Sequence, residues 1–317
     1  MATSVHVIAM SSADAGRNET AVIARERQKS HMLRAWILSG LFFMSLPGTL
    51  LGFSNLMAIS THHGLGNLPA AWIEGHGHAQ MFGWIGSFIL GIGFYSQPSR
   101  GRTATLPWAC FALWSVGVAM RWFANIYGWY WRTLFPVSAG FELIAVFLFL
   151  IAASHHKLPE PTQGKQVKAQ LEMWMVSVLV GTTGLAAAII FNFVECVRLA
   201  IVESLRFFPH TLDQRYLMLL GWGFLVPVVW GFSARWLPAF LAISKPDAGI
   251  FRVALTLDLM GVLCGTAGWA QPATILLASG AVAIALLYIL RNGLMGRPRS
   301  WVFTPVFRRS FALPMPG

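Results

Sequence analysis

The sequence predicts an all-α, polytopic membrane protein with about eight transmembrane helices. Only 11% of its 317 residues are charged, 56% are hydrophobic, and the mean hydropathy is +0.60. A soluble domain carries about 25% charged residues, and a disordered chain has low hydrophobicity. Both classes are therefore excluded, and we expect lipid to surround most of the chain.

Eight apolar segments are long enough to cross a bilayer, which takes about 20 mostly apolar residues. The predicted spans are residues 33–56, 72–96, 106–126, 133–153, 173–195, 215–240, 251–270 and 272–291. The last two are separated by a turn around Gln271 and Pro272. Residues 32–292 thus hold a helical bundle. Residues 1–31 are polar and predicted to be a loose tail, and 293–317 form a second tail.

The basic residues predict the orientation of the bundle. Eighteen of the 23 Lys and Arg residues fall in the two tails and the even-numbered connections, and five fall on the other side. The positive-inside rule then places both termini in the cytoplasm, as in a multi-pass protein of the bacterial inner membrane. The net charge of +11 reflects this orientation, so nucleic acid is not a predicted partner.

Five of the nine histidines fall on the outer side, and a site is expected there because ionisable residues at membrane depth are costly. These five are His62, His63, His76, His78 and His210. The three cysteines are widely spaced and form neither a disulfide framework nor a zinc motif, so we interpret them as core residues.

The densest polar segment is residues 74–84, Glu-Gly-His-Gly-His-Ala-Gln-Met-Phe-Gly-Trp. An i, i+2 spacing places His76 and His78 about 200° apart on a helix, so one helix face cannot present both to a single metal. Two interpretations remain open. One histidine ligates a haem iron or copper, both of which accept imidazole, or the pair makes interhelical hydrogen bonds.

Further polar residues lie at the same depth. Arg121 and Arg132 are candidates to pair with haem propionates or to anchor the chain at the interface. Glu142, well inside the fourth span, requires a partner or a proton, and it is a candidate for a proton relay. Gln80 is a second candidate for that role. Asp258, in the seventh span, has no evident partner in the sequence.

Two patterns concern the helices themselves. Glu195 and Arg198 are three residues apart and predict an ion pair within one helix. The run Phe-Gly-Trp at 82–84 recurs in part as Gly-Trp-Gly at 221–223, which leaves a weak internal repeat as one interpretation.

The segment His76-Gly77-His78-Ala79-Gln80-Met81-Phe82-Gly83-Trp84 resembles the NnrS family, which comprises polytopic bacterial membrane proteins associated with the response to nitric oxide. Arg121-Trp122, Arg132 and residues 232–238 add weaker agreement. The resemblance implies haem b, and copper as a second cofactor, near the outer face of the membrane. It also implies a part in tolerating nitrosative stress, with nitric oxide or a respiratory electron donor as partner.

The residues that this resemblance assigns to the cofactors are mostly histidines. His76 and His78 are the ligand candidates, and His210 is a possible partner from the second half of the chain. His62 and His63 are further metal-ligand candidates. The first motif also has a distant likeness to the second helix of the haem–copper oxidase catalytic subunit.

Three functions remain open at this point. Oxygen reduction by this chain alone is disfavoured, because His155 and His156 lie on the cytoplasmic side and no later span supplies the other ligands. The first hypothesis is a haem-binding protein of NnrS type. The second is a cofactor-free transporter of protons or metal ions that uses Glu142 and Asp258. The third is a non-catalytic assembly partner of a haem–copper enzyme.

Overall fold

A computed structural model describes residues 2–61, 68–96, 105–154, 172–202, 205–241 and 243–293. Within these ranges the chain forms helices and no strands. The predicted all-α fold class is therefore confirmed.

Eight helical segments follow the eight predicted spans. They are α1 (residues 2–61), α2 (70–96), α3 (Thr105–Tyr127), α4 (Trp131–Ser154), α5 (Met173–Val202), α6 (His210–Phe240), α7 (Ala248–Ala267) and α8 (Ala270–Gly293). Seven of them, all except α2, are long and apolar enough within the described ranges to cross a membrane. The chain is thus a multi-pass membrane protein. Helix α2 is equally long, but its first turns carry the polar segment around His76.

Residues 2–31, for which the sequence predicts a loose tail, form the first part of α1, which begins at Ala2. No glycine or proline interrupts the chain between Gly16 and Gly40, and residues 21–29 contain several good helix formers. This segment continues directly into a transmembrane helix, so it needs no nucleation step of its own. An ion pair of 3.6 Å between Lys29 and Glu26 lies on its surface.

The helices divide into two compact units. Unit 1 comprises Met1–Val167 and Ala186–Asp213, and unit 2 comprises Lys168–Leu185 and Gln214–Gly317. Unit 1 therefore contains α1 to α4 and the second half of α5. Unit 2 contains the first half of α5, most of α6, and the pair α7 and α8.

Two hydrogen bonds show which helix ends meet in unit 1. The indole of Trp72, near the start of α2, donates to the Ile126 carbonyl at the end of α3 over 3.3 Å. Arg132, at the start of α4, donates to the Ala200 carbonyl near the end of α5 over 3.0 Å. The starts of α2 and α4 and the ends of α3 and α5 thus lie at one end of the unit, which we call the α2 end.

Within the described residues, three helices contain a π-helical segment. These segments are Met44–Leu50 in α1, Ala79–Gly86 in α2 and Leu219–Leu225 in α6. The second and third contain the two copies of the weak repeat, so both copies share the same uncommon backbone. A duplication stays a prediction. π-Helical turns are rare overall but are enriched at functional sites. These segments are therefore candidate positions for a functional site.

Helices α7 and α8 form a tight hairpin in unit 2. The Asp247 carboxylate caps α7 by accepting hydrogen bonds from the backbone of Gly249 and Ile250. Gly268 ends α7 in the left-handed region, at φ 94°, which glycine adopts without steric cost. The turn lies earlier than predicted, because Pro272 falls inside the first turn of α8, where a missing N–H costs little.

Candidate functional site

Helix α2 presents two polar faces to different neighbours. Glu74 and His78 are four residues apart and share one face, and His76 and Gln80 share another. His78 forms a hydrogen bond with Glu142 of α4, and His76 forms one with the Gly48 carbonyl of α1. This agrees with the prediction that the two histidines cannot serve one metal from a single helix face.

His76 is held by the π-helical segment of α1. Its Nδ1 lies 2.9 Å from the Gly48 carbonyl oxygen, which also accepts a hydrogen bond from the backbone N–H of Leu51. Because a carbonyl only accepts, Nδ1 carries the proton and Nε2 is the unprotonated nitrogen of the neutral ring. The ring is half-buried, and Nε2 has no hydrogen-bond partner among the described residues.

Two glycines of α1 make room for this face of α2. A Cβ at Gly52 would lie 2.6 Å from Cε1 of His76, and one at Gly48 would lie 2.5 Å from Nε2 of Gln80. Oε1 of Gln80 and Oδ1 of Asn55 are buried and have no hydrogen-bond partner within the described part of the chain. The contact between α1 and α2 therefore contains two buried acceptor oxygens without a partner among the described residues. A hydrogen-bond donor on a bound group would satisfy them.

The other face of α2 carries a buried pair. Nε2 of His78 lies 2.7 Å from Oε1 of Glu142, whose side chain is 0% exposed. Asn192 donates to the second carboxylate oxygen of Glu142 over 3.2 Å. The His78 ring also stacks on Phe82, with 4.6 Å between centroids. The partner expected for Glu142 is thus present, and Nε2 of His78 is already engaged.

A second buried ion pair lies closer to the α2 end. Arg121 donates to Oε2 of Glu74 over 3.3 Å and also contacts the Cys196 sulfur. The other Glu74 oxygen accepts a hydrogen bond from the backbone N–H of Phe208. The guanidinium carbon of Arg121 lies 3.9 Å from the centroid of the Phe135 ring. A charge is therefore buried here together with its counter-charge.

Cys196 links the two pairs, because its thiol lies 3.6 Å from Oδ1 of Asn192. We call the connected groups the buried polar row: Glu74, Arg121, Cys196, Asn192, Glu142 and His78. Glu74 is four residues into α2, or about 6 Å from its start, and Glu142 is eleven residues into α4, or about 16 Å. The row thus runs from the α2 end of unit 1 to the middle of helix α4.

The two arginines proposed for haem propionates have protein partners. Arg121 belongs to the buried polar row, and Arg132 binds the Ala200 carbonyl while lying 5.0 Å from the Trp131 ring centroid. These contacts favour the anchoring alternative for Arg132 and an interior ion pair for Arg121. A role toward propionates stays a prediction for both.

The remaining predicted ligands are not assembled into a metal site in the described residues. His210 begins α6 and is exposed. His62 and His63, as well as His155 and His156, lie outside the described residues. Across the described ranges, no group of three or more His, Cys, Asp or Glu side chains is placed to hold a metal ion. Copper bound by His62 or His63 stays a prediction.

Sequence reasoning missed Glu74 and Cys196 as members of the site. A signal was available in both cases, because Glu74 precedes His78 by four residues and Cys196 follows Asn192 by four. Residues four apart lie on one helix face. Reading polar residues in i, i+4 pairs would have separated the two faces of α2 and extended the row along α5.

Unit 2 contains a different kind of buried polar group. Asp258, halfway along α7, is 1% exposed, and neither carboxylate oxygen has a hydrogen-bond partner among the described residues. The fold and these interior groups define a multi-pass membrane protein with ionisable side chains at membrane depth. No protein family, curated protein or solved structure matches the chain.

Proposed function

We propose that this chain is a membrane protein of NnrS type that binds haem b through His76 and serves the response to nitric oxide or nitrosative stress. The proposal rests on the hydrogen bonding of the two ring nitrogens of His76. Its Nδ1–H is bound to the Gly48 carbonyl and its Nε2 has no partner among the described residues. Ligating histidines are usually oriented by such a bond from the other ring nitrogen.

The surroundings of His76 fit a planar group on this side of α2. Apart from its two neighbours in sequence and the backbone of its own helix, no described atom lies within 4 Å of the position that a Cβ of Gly77 would take, so the described residues leave space beside His76. Bound haem would supply an iron that takes a diatomic ligand. The chain itself orients the imidazole through Gly48, and Gln80 offers a buried amide one turn further along.

The test is the absorption spectrum and the pyridine haemochrome of protein purified in detergent from haem-replete cells. We expect a b-type spectrum in the wild type, its loss in His76→Gly, and partial recovery when imidazole is added to that variant. Colourless wild-type protein, or His76→Gly that keeps its haem, would overturn the proposal. Elution as a monodisperse species shows that each variant is folded.

Two alanine variants provide a matched pair. Gly52→Ala places a methyl group against the His76 ring, whereas Gly77→Ala meets nothing within 4 Å. We expect reduced haem content or a shifted spectrum in Gly52→Ala and an unchanged spectrum in Gly77→Ala. Equal spectra in the two variants would show that the orientation of His76 does not matter to the cofactor.

The second candidate is a transporter of protons or metal ions without a cofactor. The buried polar row favours it, because ionisable groups inside a membrane bundle commonly mark ion or proton pathways. It predicts colourless protein and substrate flux in proteoliposomes, with flux lost in Glu142→Gln. Flux from haem-free wild-type protein would select this candidate over the first.

We also propose that the protein resides in the bacterial inner membrane with both termini in the cytoplasm. The partition of eighteen Lys and Arg residues against five supports this orientation. A fluorescent protein fused to the C-terminus should fluoresce, and alkaline phosphatase fused there should be inactive. A non-fluorescent fusion together with active alkaline phosphatase would reverse the orientation and would place the proposed haem site on the cytoplasmic side.

A further inference from the structure

Asp258 lies in the middle of a membrane helix in unit 2. It is the eleventh of the twenty residues of α7, which places it about 15 Å from either end of the helix. Its neighbours on the buried side of α7 include Ala254, Leu255 and Val262. An unpaired charge at this depth has a large desolvation cost, so the group requires a specific explanation.

The hairpin partner of α7 approaches it closely at this level. A Cβ at Gly280 of α8 would lie 3.0 Å from the Ala254 carbonyl oxygen and 3.5 Å from the backbone nitrogen of Asp258. One turn further, a Cβ at Gly261 would lie 2.7 Å from the Leu277 side chain. Helices α7 and α8 are therefore closely packed on both sides of this level.

The register of α6 against α7 identifies what faces Asp258 from the other side. A Cβ at Gly223 would lie 3.5 Å from Val262, and Ala234 belongs to the same core cluster as Phe251. The two helices are antiparallel, so Asp258 is level with Pro227. The Pro227 carbonyl already accepts a hydrogen bond of 2.7 Å from Ser177 of α5.

Five threonine hydroxyl groups of helices α5, α7 and α8 are also engaged by backbone carbonyls. The groups concerned are Thr182, Thr183, Thr256, Thr266 and Thr274. A sodium or divalent ion needs several oxygen ligands, and the described residues place no second carboxylate at the level of Asp258. The chemistry of the position therefore suits a proton and not a metal ion.

Other titratable side chains of unit 2 lie well away from Asp258 along their helices. The nearest are Arg252 on α7, Arg235 on α6, Tyr288 on α8, Cys264 on α7 and Glu172 before α5. Each lies at least six residues, or about 9 Å along a helix axis, from the level of Asp258. No counter-charge at that level is available within the described helices to keep the carboxylate ionised.

We propose that Asp258 is a proton-binding site at the middle of helix α7, through which unit 2 takes up and releases one proton. The proposal concerns unit 2 and does not depend on haem at His76. The π-helical segment Leu219–Leu225 of α6 lies against Val262, one turn from Asp258. Such segments are frequent at functional sites.

A hydrophobic carbodiimide tests the protonation state. The carboxylic O–H adds across one C=N bond of dicyclohexylcarbodiimide, and the resulting O-acylisourea rearranges to a stable N-acylurea, with no group lost. Protein in liposomes is treated near neutral pH, and its peptides are analysed by mass spectrometry. We expect about tenfold more label at Asp258 than at Glu142, because both oxygens of Glu142 are engaged by His78 and Asn192, whereas those of Asp258 have no hydrogen-bond partner among the described residues.

Two variants complete the experiment. Asp258→Asn should fold normally, because an amide has the shape of a neutral acid, and it should lose both the label and the infrared carbonyl band of a protonated carboxyl. Asp258→Glu should keep the label. Proteoliposomes should take up protons with the wild type and not with Asp258→Asn. Absence of label and of the acid band in the wild type, or equal proton uptake by both proteins, would overturn the proposal.

Discussion

Glu142 in unit 1 and Asp258 in unit 2 are both buried carboxyl groups near the middle of a membrane helix, but their surroundings differ. Glu142 accepts hydrogen bonds on both oxygens, from His78 and Asn192. Asp258 has no partner among the described residues. Burial alone therefore does not define the role of a carboxyl group in this protein. A partnered carboxylate belongs to a network that its neighbours depend on, whereas an unpartnered one is costly to keep and needs a functional reason.

The largest effect is expected from Glu142→Ala. The change leaves His78 and Asn192 buried without their acceptor, and breaking a buried pair by removing one partner costs about 4 kcal/mol. The free energy of unfolding in detergent, from denaturant titrations followed by fluorescence, is the measurement. Loss of less than about 1 kcal/mol would show that the pair is not a structural element and would remove the contrast with Asp258.

Asp258→Leu should raise the free energy of unfolding, whereas Glu142→Ala should lower it. An aspartate at the centre of a membrane helix costs about 3 kcal/mol to insert, so we expect the leucine variant to be more stable by about 2 kcal/mol, with some loss for imperfect packing. The same titrations measure it. A destabilised Asp258→Leu variant alongside a normal Asp258→Asn variant would point to a hydrogen bond that only a polar side chain can make.

The smallest effect is expected from His76→Ala in haem-free protein. The change removes one hydrogen bond to the Gly48 carbonyl, but that oxygen keeps its bond from the Leu51 N–H. No buried group is left unsatisfied, so the cost should be about 1 kcal/mol. His78→Ala is the matched control and should cost more, since Oε1 of the buried Glu142 loses its partner. Equal losses would mean that the two faces of α2 do not differ as the structure implies.

Much of the fold could be read from the sequence because the membrane imposes long apolar runs. All eight predicted spans correspond to helices, and the predicted Glu195–Arg198 ion pair is confirmed at 2.7 Å. Both predictions rest on local spacing. The helical conformation of residues 2–31 was missed because polar composition does not by itself prevent a helix from continuing beyond a span.

The long-range contacts of the site could not be predicted in the same way. Arg121 meets Cys196 across 75 positions of sequence, and His78 meets Glu142 across 64. Such contacts depend on which helices pack together, and a single sequence without tertiary information does not specify that. The local part of the same site, the i, i+4 pairs on α2 and α5, was within reach of sequence reasoning.

The π-helical segment of α2 has a consequence for comparing this chain with others. A hydrogen bond from residue i to i+5 encloses one residue more than an α-helical bond, and each residue turns an α-helix by about 100°. Residues before Ala79 and after Gly86 are therefore out of phase with a continuous α-helix. Any relative whose second helix is α-helical throughout should align with this one only across a one-residue gap within 79–86. An alignment that ignores this gap will pair His76 and His78 with positions on the wrong faces.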